Sequence, residues 1–260
     1  NKNKFVSNSA GGQKIYDGGV GANNGQFTTL TSVGLPIGSF YGYKVIGVFQ
    51  TPQEVADYKD SEGTLYQPGA KPGDLKFAKT SNNGIGAISG NDRVVLGNPN
   101  PRLTYGLNTY WSYRKFDFTV DFQGVAGVEV YNANKGLRYG AENWTLDFYK
   151  HRWHGQGTSN SYPSANIGSV TNSSPSSWMV EKGSYFRIRT IQLGYTFASD
   201  GVKKYGMQSL RLFVNSQNPF TFFKYTGFTP EVGGAPGSAG IDTNVYPLYA
   251  TYNFGVNVVF

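Results

Sequence analysis

The chain has 260 residues with 35 glycines, 16% aromatic side chains, only 15% charged side chains and a net charge of +7. The glycines follow no three-residue period, which excludes collagen. The 19 Tyr, 18 Phe and 4 Trp supply too much apolar surface for general disorder. The lack of a Lys/Arg-rich run argues against nucleic acid as a partner. Because Tyr, Phe, Thr and Val favour strands while Gly and Asn favour turns, the composition excludes a helical bundle and predicts an all-β chain with long turns.

The sequence lacks the markers of several other protein classes. The absence of cysteine removes disulfides, thiolate metal sites and cysteine nucleophiles. No run of about 18 apolar residues predicts a transmembrane helix, whereas transmembrane strands need only roughly 9–11 residues of alternating character. The first residues, 1–5, contain no apolar signal-peptide core, so we expect a processed product or a fragment.

Alternation of apolar and polar residues predicts the strands. Weaker candidates lie at 26–32 and 39–50. The clearest signal covers 103–123, where only Arg114 and Lys115 interrupt the alternation, as expected for a tight hairpin. Further alternating segments lie at 191–197, 210–215 and 251–260.

Short and long connections alternate between these strands. The long ones are 51–101, 131–183 and 219–247. Outer-membrane barrels combine short periplasmic turns with long extracellular loops, whereas most connections in compact domains have about 4–6 residues. The pattern therefore predicts an antiparallel transmembrane β-barrel with the three long segments outside. A soluble sandwich with a solvent-exposed polar face is the alternative.

Several segments match one protein family in the same order. They are GLPIGSFYGY at 34–43, PGDLKF at 72–77, GNPNP at 97–101, GSYFRIR at 183–189, QNPFT at 217–221 and YTGFTPE at 225–231. With these segments the chain resembles the SusC/RagA-like TonB-dependent outer-membrane transporters of Bacteroidetes. The resemblance implies a 22-stranded barrel with a plug domain, of which residues 1–260 supply the C-terminal part with about eight to ten strands. The plug domain and the N-terminal barrel strands are then absent from this chain.

The same resemblance implies a function in the outer membrane. The chain is expected to be part of a TonB-dependent importer of bulky nutrients, either oligosaccharides or peptides. The implied partners are a SusD-like surface lipoprotein, the remaining N-terminal part of the transporter with its plug, TonB acting through that plug, and outer-membrane lipid. Two alternatives remain: a self-sufficient small outer-membrane barrel acting as porin or adhesin, and a soluble β-rich glycan-binding module.

The long segment 131–183 carries the candidates for contact with a ligand or with the lipoprotein. Aromatic faces stack on sugar rings, and Arg binds hydroxyls or carboxylates. Packing of the same rings against the barrel wall is the alternative. The candidates are Tyr139, Trp144, Tyr149, His151, Arg152 and Trp153.

We expect no enzymatic activity, cofactor or metal. The sequence has no G-x-S-x-G elbow, P-loop, H-E-x-x-H or dinucleotide motif. His151 and His154, the two histidines, have no clear carboxylate partner for a metal site. The segment 74–92 stands where the family often has a calcium loop, but Thr and Asn replace its acids, and Ca²⁺ prefers several charged oxygens. Calcium binding there stays open.

The terminal strand resembles the C-terminal signal that the barrel-assembly machinery reads. Its alternating apolar residues end in an aromatic residue, and the same side chains are expected to face lipid after assembly. They are Tyr252, Phe254, Val256, Val258 and Phe260.

Overall fold

The computed structural model describes residues 3–7, 11–19, 23, 25–136, 144–166, 169–197 and 200–260. The strands are β1 (Ile15–Asp17), β2 (Thr29–Thr31), β3 (Ser39–Gly42), β4 (Val45–Val48), β5 (Leu75–Phe77), β6 (Val94–Gly97), β7 (Leu103–Tyr113), β8 (Phe116–Ala126), β9 (Glu129–Asn132), β10 (Val180–Lys182), β11 (Tyr185–Phe197), β12 (Ser209–Phe223), β13 (Ile241–Asp242) and β14 (Thr251–Val259). The short helices are α1 (Pro52–Asp57), α2 (Leu146–His151), α3 (Val170–Ser173) and α4 (Asp200–Lys203).

None of the helices in the described part of the chain has the length and apolar character needed to cross a membrane.

Five long strands form one antiparallel sheet in the order β14-β12-β11-β8-β7. They have 9 to 15 residues each, which is enough for a transmembrane strand. The pairing of β7 with β8 is in register from Leu103 opposite Ala126 to Tyr113 opposite Phe116, and Arg114 adopts φ 54° in the tight turn between them. The predicted hairpin is confirmed.

The two faces of this five-stranded sheet differ in chemistry. One face carries large apolar side chains that are solvent-exposed in the isolated chain, which is the pattern of a lipid-facing surface. They include Tyr105, Leu107, Trp111, Phe116, Leu193, Val214, Phe220, Phe222, Tyr252, Phe254, Val256 and Val258. The opposite face is mostly small or polar, as expected for a wet lumen. It includes Asn108, Ser112, Asp117, Thr119, Asp121, Gln192, Gly194, Thr196, Arg211, Asn215 and Asn253.

The connections between the long strands differ strongly at the two ends of the sheet. The turn at 114–115 and the connection 198–208 are short and lie at one end. The connections 127–184 and 224–250 are long and lie at the other end. The chain therefore places most of its irregular structure beyond one end of the long strands.

The short strands form a folded layer at the long-connection end, which we call the surface layer. It combines the chain before β7 with the connections 127–184 and 224–250 in three small sheets, β1-β2-β3-β6, β10-β9-β13 and β4-β5. One buried cluster is made of Phe40, Tyr131, Ala133 and Met179. A second is made of Val48, Leu75 and Phe77. Ile241 from the connection 224–250 packs against the first cluster, so the three segments share a hydrophobic core rather than forming independent loops.

The number of barrel strands is corrected by the structure. We expected about eight to ten, but in the described residues the barrel sheet has five strands. The weaker candidates at 26–32 and 39–50 contain β2, β3 and β4, which pair in the small sheets. All of Thr29–Thr31 is buried, so β2 has no lipid-facing side, and β3 and β4 are taken up by the small sheets as well. The apolar content of these segments misled the prediction. The last long connection begins after residue 223 rather than at 219, because β12 extends to Phe223.

Candidate functional site

The surface layer contains an open cavity of about 310 Å³. It lies between the segment around α2, the end of β9 and the connection that follows β12. Its lining residues are Asn132, Asn134, Lys135, Trp144, Thr145, Asp147, Phe148, Tyr162, Trp178, Thr226, Gly227, Phe228 and Asn244. Cavities of this size with aromatic walls and a few polar groups are the usual form of small-ligand sites.

The aromatic wall is built around α2. Thr145 caps this helix, because its hydroxyl accepts a hydrogen bond from the backbone N–H of Phe148 at 3.2 Å. The cap fixes the buried Phe148 ring, which stacks on Trp144 with ring centroids 4.0 Å apart. Trp178 and Tyr162 complete the wall in an edge-to-face arrangement with centroids 6.5 Å apart. Four rings from three parts of the sequence therefore line one side of the cavity.

Tyr162 is held at the cavity by Asp147. Its hydroxyl donates a hydrogen bond to the Asp147 carboxylate at 2.8 Å. Burial, together with this hydrogen bond and the negative charge of Asp147, raises the pKa of Tyr162 to about 12. The phenol is therefore a neutral hydrogen-bond donor at physiological pH. The other oxygen of Asp147 lies 3.0 Å from the Nδ1 atom of the exposed His151.

The polar wall is held together by Glu181, which binds the lining residues Asn132, Lys135 and Thr226 without lining the cavity itself. Its carboxylate forms an ion pair with Lys135 at 2.8 Å and accepts hydrogen bonds from the backbone N–H and the hydroxyl of Thr226 at 2.8 and 2.7 Å. Asn132 donates a further hydrogen bond at 3.0 Å. Burial opposes ionisation, but Lys135, Thr226 and Asn132 outweigh it and hold the pKa of Glu181 below its usual range. Glu181 therefore stays ionised and ties the end of β9 to the connection that follows β12.

Two amide side chains remain available to a ligand. Asn134 and Asn244 line the cavity, and no hydrogen bond to another described residue holds their side-chain amides. Aromatic faces beside free amides can stack on a sugar ring and bind its hydroxyls, or hold a peptide by its side chains and backbone. The arrangement is suited to binding.

The structure brings only part of the predicted candidate set together. Trp144 lines the cavity, while Tyr139 lies outside the described residues. Tyr149 is 65% exposed beyond the cavity, with the Arg152 guanidinium 5.6 Å from its ring. Trp153 packs against the second core cluster.

Sequence reasoning missed several residues of the cavity. Trp178 and Lys135 stand in no recognisable pattern. Thr226, Gly227 and Phe228 belong to the segment 225–231, which marked the family resemblance without suggesting a role. The match of this segment to the family was the one sequence feature that could have pointed to Thr226, Gly227 and Phe228.

The two histidines have separate partners. His151 contacts Asp147, whereas the Nδ1 atom of His154 lies 3.1 Å from the carbonyl oxygen of Arg152. In the described part of the chain, no three His, Cys, Asp or Glu side chains come together as a metal site.

The segment 74–92 contains a buried ion pair. Asp92 accepts hydrogen bonds from the backbone N–H groups of Thr80, Ser81 and Ser89 at 2.8 to 2.9 Å. The ammonium group of Lys79 lies 3.0 Å from the same carboxylate and 3.1 Å from the carbonyl oxygen of Ala87. The carboxylate is therefore satisfied by groups of the protein itself.

Comparisons with known proteins agree with this architecture. No model of a protein family matches the chain. TonB-dependent receptor P3 of Formosa agariphila is 32% identical over 268 residues, which cover 100% of this chain and 26% of that receptor. TonB-dependent receptor SusC of Bacteroides thetaiotaomicron is 26% identical over 207 residues, which cover 75% of this chain and 18% of SusC. This chain belongs to the SusC/RagA-like TonB-dependent transporters. It spans about a quarter of the length of relatives such as receptor P3.

Solved structures show the same fold as this SusC/RagA-like chain. The RagAB peptide importer in the open-open state matches with a TM-score of 0.64 and 16% identity over 99% of this chain and 25% of that one. A second RagAB peptide transporter structure matches with a TM-score of 0.65 and 18% identity over 98% of this chain and 26% of that one. The predicted fold, part of an antiparallel transmembrane barrel, is confirmed. The SusC/RagA-like chain is an outer-membrane protein, and its relatives are receptors and transporters by name.

Proposed function

We propose that this chain is the C-terminal part of a TonB-dependent importer that takes up oligosaccharides or peptides together with a SusD-like surface lipoprotein. One observation carries the proposal. A sheet with a lipid-facing apolar side and a polar inner side bears, at one end, a folded layer with an open aromatic cavity. A sheet of this kind forms a channel wall, and the cavity is suited to holding cargo or a partner at the channel mouth.

The surface layer faces the outside of the cell in this proposal. Short turns of outer-membrane barrels lie in the periplasm and long connections outside. The turn at 114–115 and the connection 198–208 are therefore periplasmic, and the surface layer with its cavity is extracellular. The segments 51–101 and 131–183, and the residues of 219–247 that follow β12, belong to that extracellular part.

The remaining parts of the importer follow from the same proposal. TonB acts through a plug domain in the rest of the transporter, and no step of transport requires enzymatic chemistry in this chain. The side chains of Tyr252 and Phe254, exposed by 75% and 70% on β14, form the assembly signal together with Val256, Val258 and Phe260. After assembly they face lipid.

Native purification tests the proposal. The protein is extracted from outer membranes in mild detergent, and the masses of the intact and the denatured complex are measured. We expect this sequence in a polypeptide about four times its length, since relatives such as receptor P3 are covered to 26%, and a co-purifying lipoprotein. A folded species of this chain alone would instead support a self-sufficient small barrel. Recovery without detergent would support a soluble module.

Trp144→Ala is expected to weaken ligand binding to the whole transporter by about two- to tenfold. The substitution removes one stacking face, and aromatic stacking contributes about 0.5–1.5 kcal/mol. Binding is measured with fluorescently labelled oligosaccharide and peptide mixtures. The matched control is Tyr149→Ala, which removes an exposed ring outside the cavity. Equal binding by both variants would mean that the Trp144 ring serves packing alone.

A further inference from the structure

A groove of about 440 Å³ crosses the apolar face of the barrel sheet at the end that carries the surface layer. It lies apart from the aromatic cavity and shares no lining residue with it. Its lining residues are Tyr105, Val125, Ala126, Lys182, Ser184, Tyr185, Phe186, Phe222, Phe223 and Lys224.

The groove has a flat aromatic wall. Phe186 and Phe222 line it and stack with centroids 6.3 Å apart. Phe122, outside the lining, continues the row with its centroid 5.8 Å from that of Phe186. The Tyr105 ring lies directly over Gly124, where a side chain would collide with it. Because Tyr105 lies flat on the backbone, the groove stays open beside Phe186 and Phe222. Its shape and polarity suit an acyl chain.

Two cations stand at the same groove. Lys182 ends β10 and Lys224 directly follows β12, and both residues are exposed. Among the described residues, neither ammonium group forms an ion pair. Glu129, the residue opposite Lys182, accepts a hydrogen bond from the backbone N–H of Asn98 at 2.9 Å. Glu181 is paired with Lys135, as described above. The two positive charges are therefore available to an external anion.

We propose that this groove binds a phosphorylated glycolipid of the outer leaflet. An acyl chain lies along Phe186 and Phe222, and Lys182 and Lys224 bind the headgroup phosphate. Long basic side chains at the edge of an apolar surface reach the headgroup region, where each contributes attraction to anionic lipid. Two cations at one groove favour a phosphate monoester over a zwitterionic headgroup. The proposal rests on the outward orientation of the surface layer given above.

Lipid retention by the complete transporter tests this site. The transporter is extracted in mild detergent, and bound phosphorylated glycolipid is counted by native mass spectrometry. The double variant Lys182→Ala/Lys224→Ala is expected to retain on the order of tenfold less than the unsubstituted protein. The double variant Lys182→Arg/Lys224→Arg is expected to retain the glycolipid, because it keeps both positive charges. The matched control is Lys115→Ala/Lys204→Ala, which removes two exposed lysines at the short-turn end.

Two further measurements identify the ligand. Excess inorganic phosphate is expected not to displace the glycolipid, because the acyl chain contributes to binding, whereas enzymatic removal of the phosphate is expected to release it. Equal retention by the two Lys→Ala double variants would overturn the proposal. Retention of a zwitterionic phospholipid equal to that of the phosphorylated glycolipid would overturn it too. Binding of labelled nutrient, measured in parallel, is expected to be unchanged in all lysine variants, which separates this site from the proposed nutrient site.

Discussion

Asp92→Ala is expected to accelerate hydrogen exchange at the backbone amides of Thr80, Ser81 and Ser89 by ~10²–10³-fold. Removal of the fully buried carboxylate leaves these donors unsatisfied and strands the ammonium group of Lys79, whose side chain is only 4% exposed. Loss of one partner of a buried ion pair costs about 3–5 kcal/mol, and each 1.4 kcal/mol is a factor of about ten. Hydrogen–deuterium exchange of the purified transporter measures the effect.

Two variants show whether the buried pair is responsible. Asp57→Ala removes an exposed carboxylate of α1 and is expected to change local stability by less than about 0.5 kcal/mol. Lys79→Met/Asp92→Ala removes both charges and is expected to recover part of the lost protection, because a buried ion is no longer left alone. Equal exchange in the single and double variants would show that the orphaned ammonium contributes nothing.

The same cluster predicts a pH dependence. Burial raises the pKa of Asp92, but hydrogen bonds from Ser89, Thr80, Ser81 and Lys79 outweigh burial and hold the pKa far below its usual value. A carboxyl group with a lowered folded pKa contributes its full stability above the unfolded pKa of about 3.9 and loses it as the pH falls through the folded value. Protection, corrected for intrinsic exchange, is therefore expected to be constant from pH 7 to about pH 4 and to fall only below that.

Gly194→Val is expected to destabilise the barrel, although valine normally favours strands over glycine. In β11, Gly194 lies beneath a bidentate ion pair, in which Arg211 Nε and Nη2 lie 2.9 and 2.6 Å from the Asp117 carboxylate oxygens. A side chain at Gly194 would collide with both partners. Overpacking alone costs about 1–3 kcal/mol, and displacement of a charge-assisted bidentate pair adds to it.

Gly106→Val is the matched control for Gly194→Val. Gly106 lies on the same polar face, and a Cβ atom there would meet only the carbonyl oxygen of Phe122 at 3.4 Å. We expect this variant to be neutral or stabilising. The two variants are compared by the temperature at which the transporter loses its folded form in electrophoresis. The interpretation is wrong if both shift that temperature in the same direction.

The membrane-spanning hairpin could be predicted from sequence because its determinants are local. In β7 and β8 each residue faces either lipid or the polar side, so the period of two appears directly in the sequence. The prediction at 210–215 ended too early for a physical reason. The register of β12 against β11 shifts between Ile188 and Thr190, next to Asn218 with φ 51°, and this irregularity breaks the alternation although the strand continues.

The candidate cavity was predictable only in part. Trp144 was found from the aromatic content of its segment, whereas Trp178 and Phe228 reach the same cavity from separate segments. No local pattern reports such convergence, because it depends on pairings such as that of β13 with β9, in which Ile241 lies opposite Tyr131.

The sequence by itself determined the transmembrane strands, their two faces and the family, since alternation and ordered motifs are properties of neighbouring residues. The tertiary structure alone decided that the long segments form one surface layer. Its strands have two to four residues each, too few to show a periodic polar face, and β2 is buried throughout. Its core joins Phe40, Tyr131 and Met179 from distant parts of the chain. Burial of these side chains against each other is a property of the folded chain, and it places Trp178, which packs against this core, at the aromatic cavity.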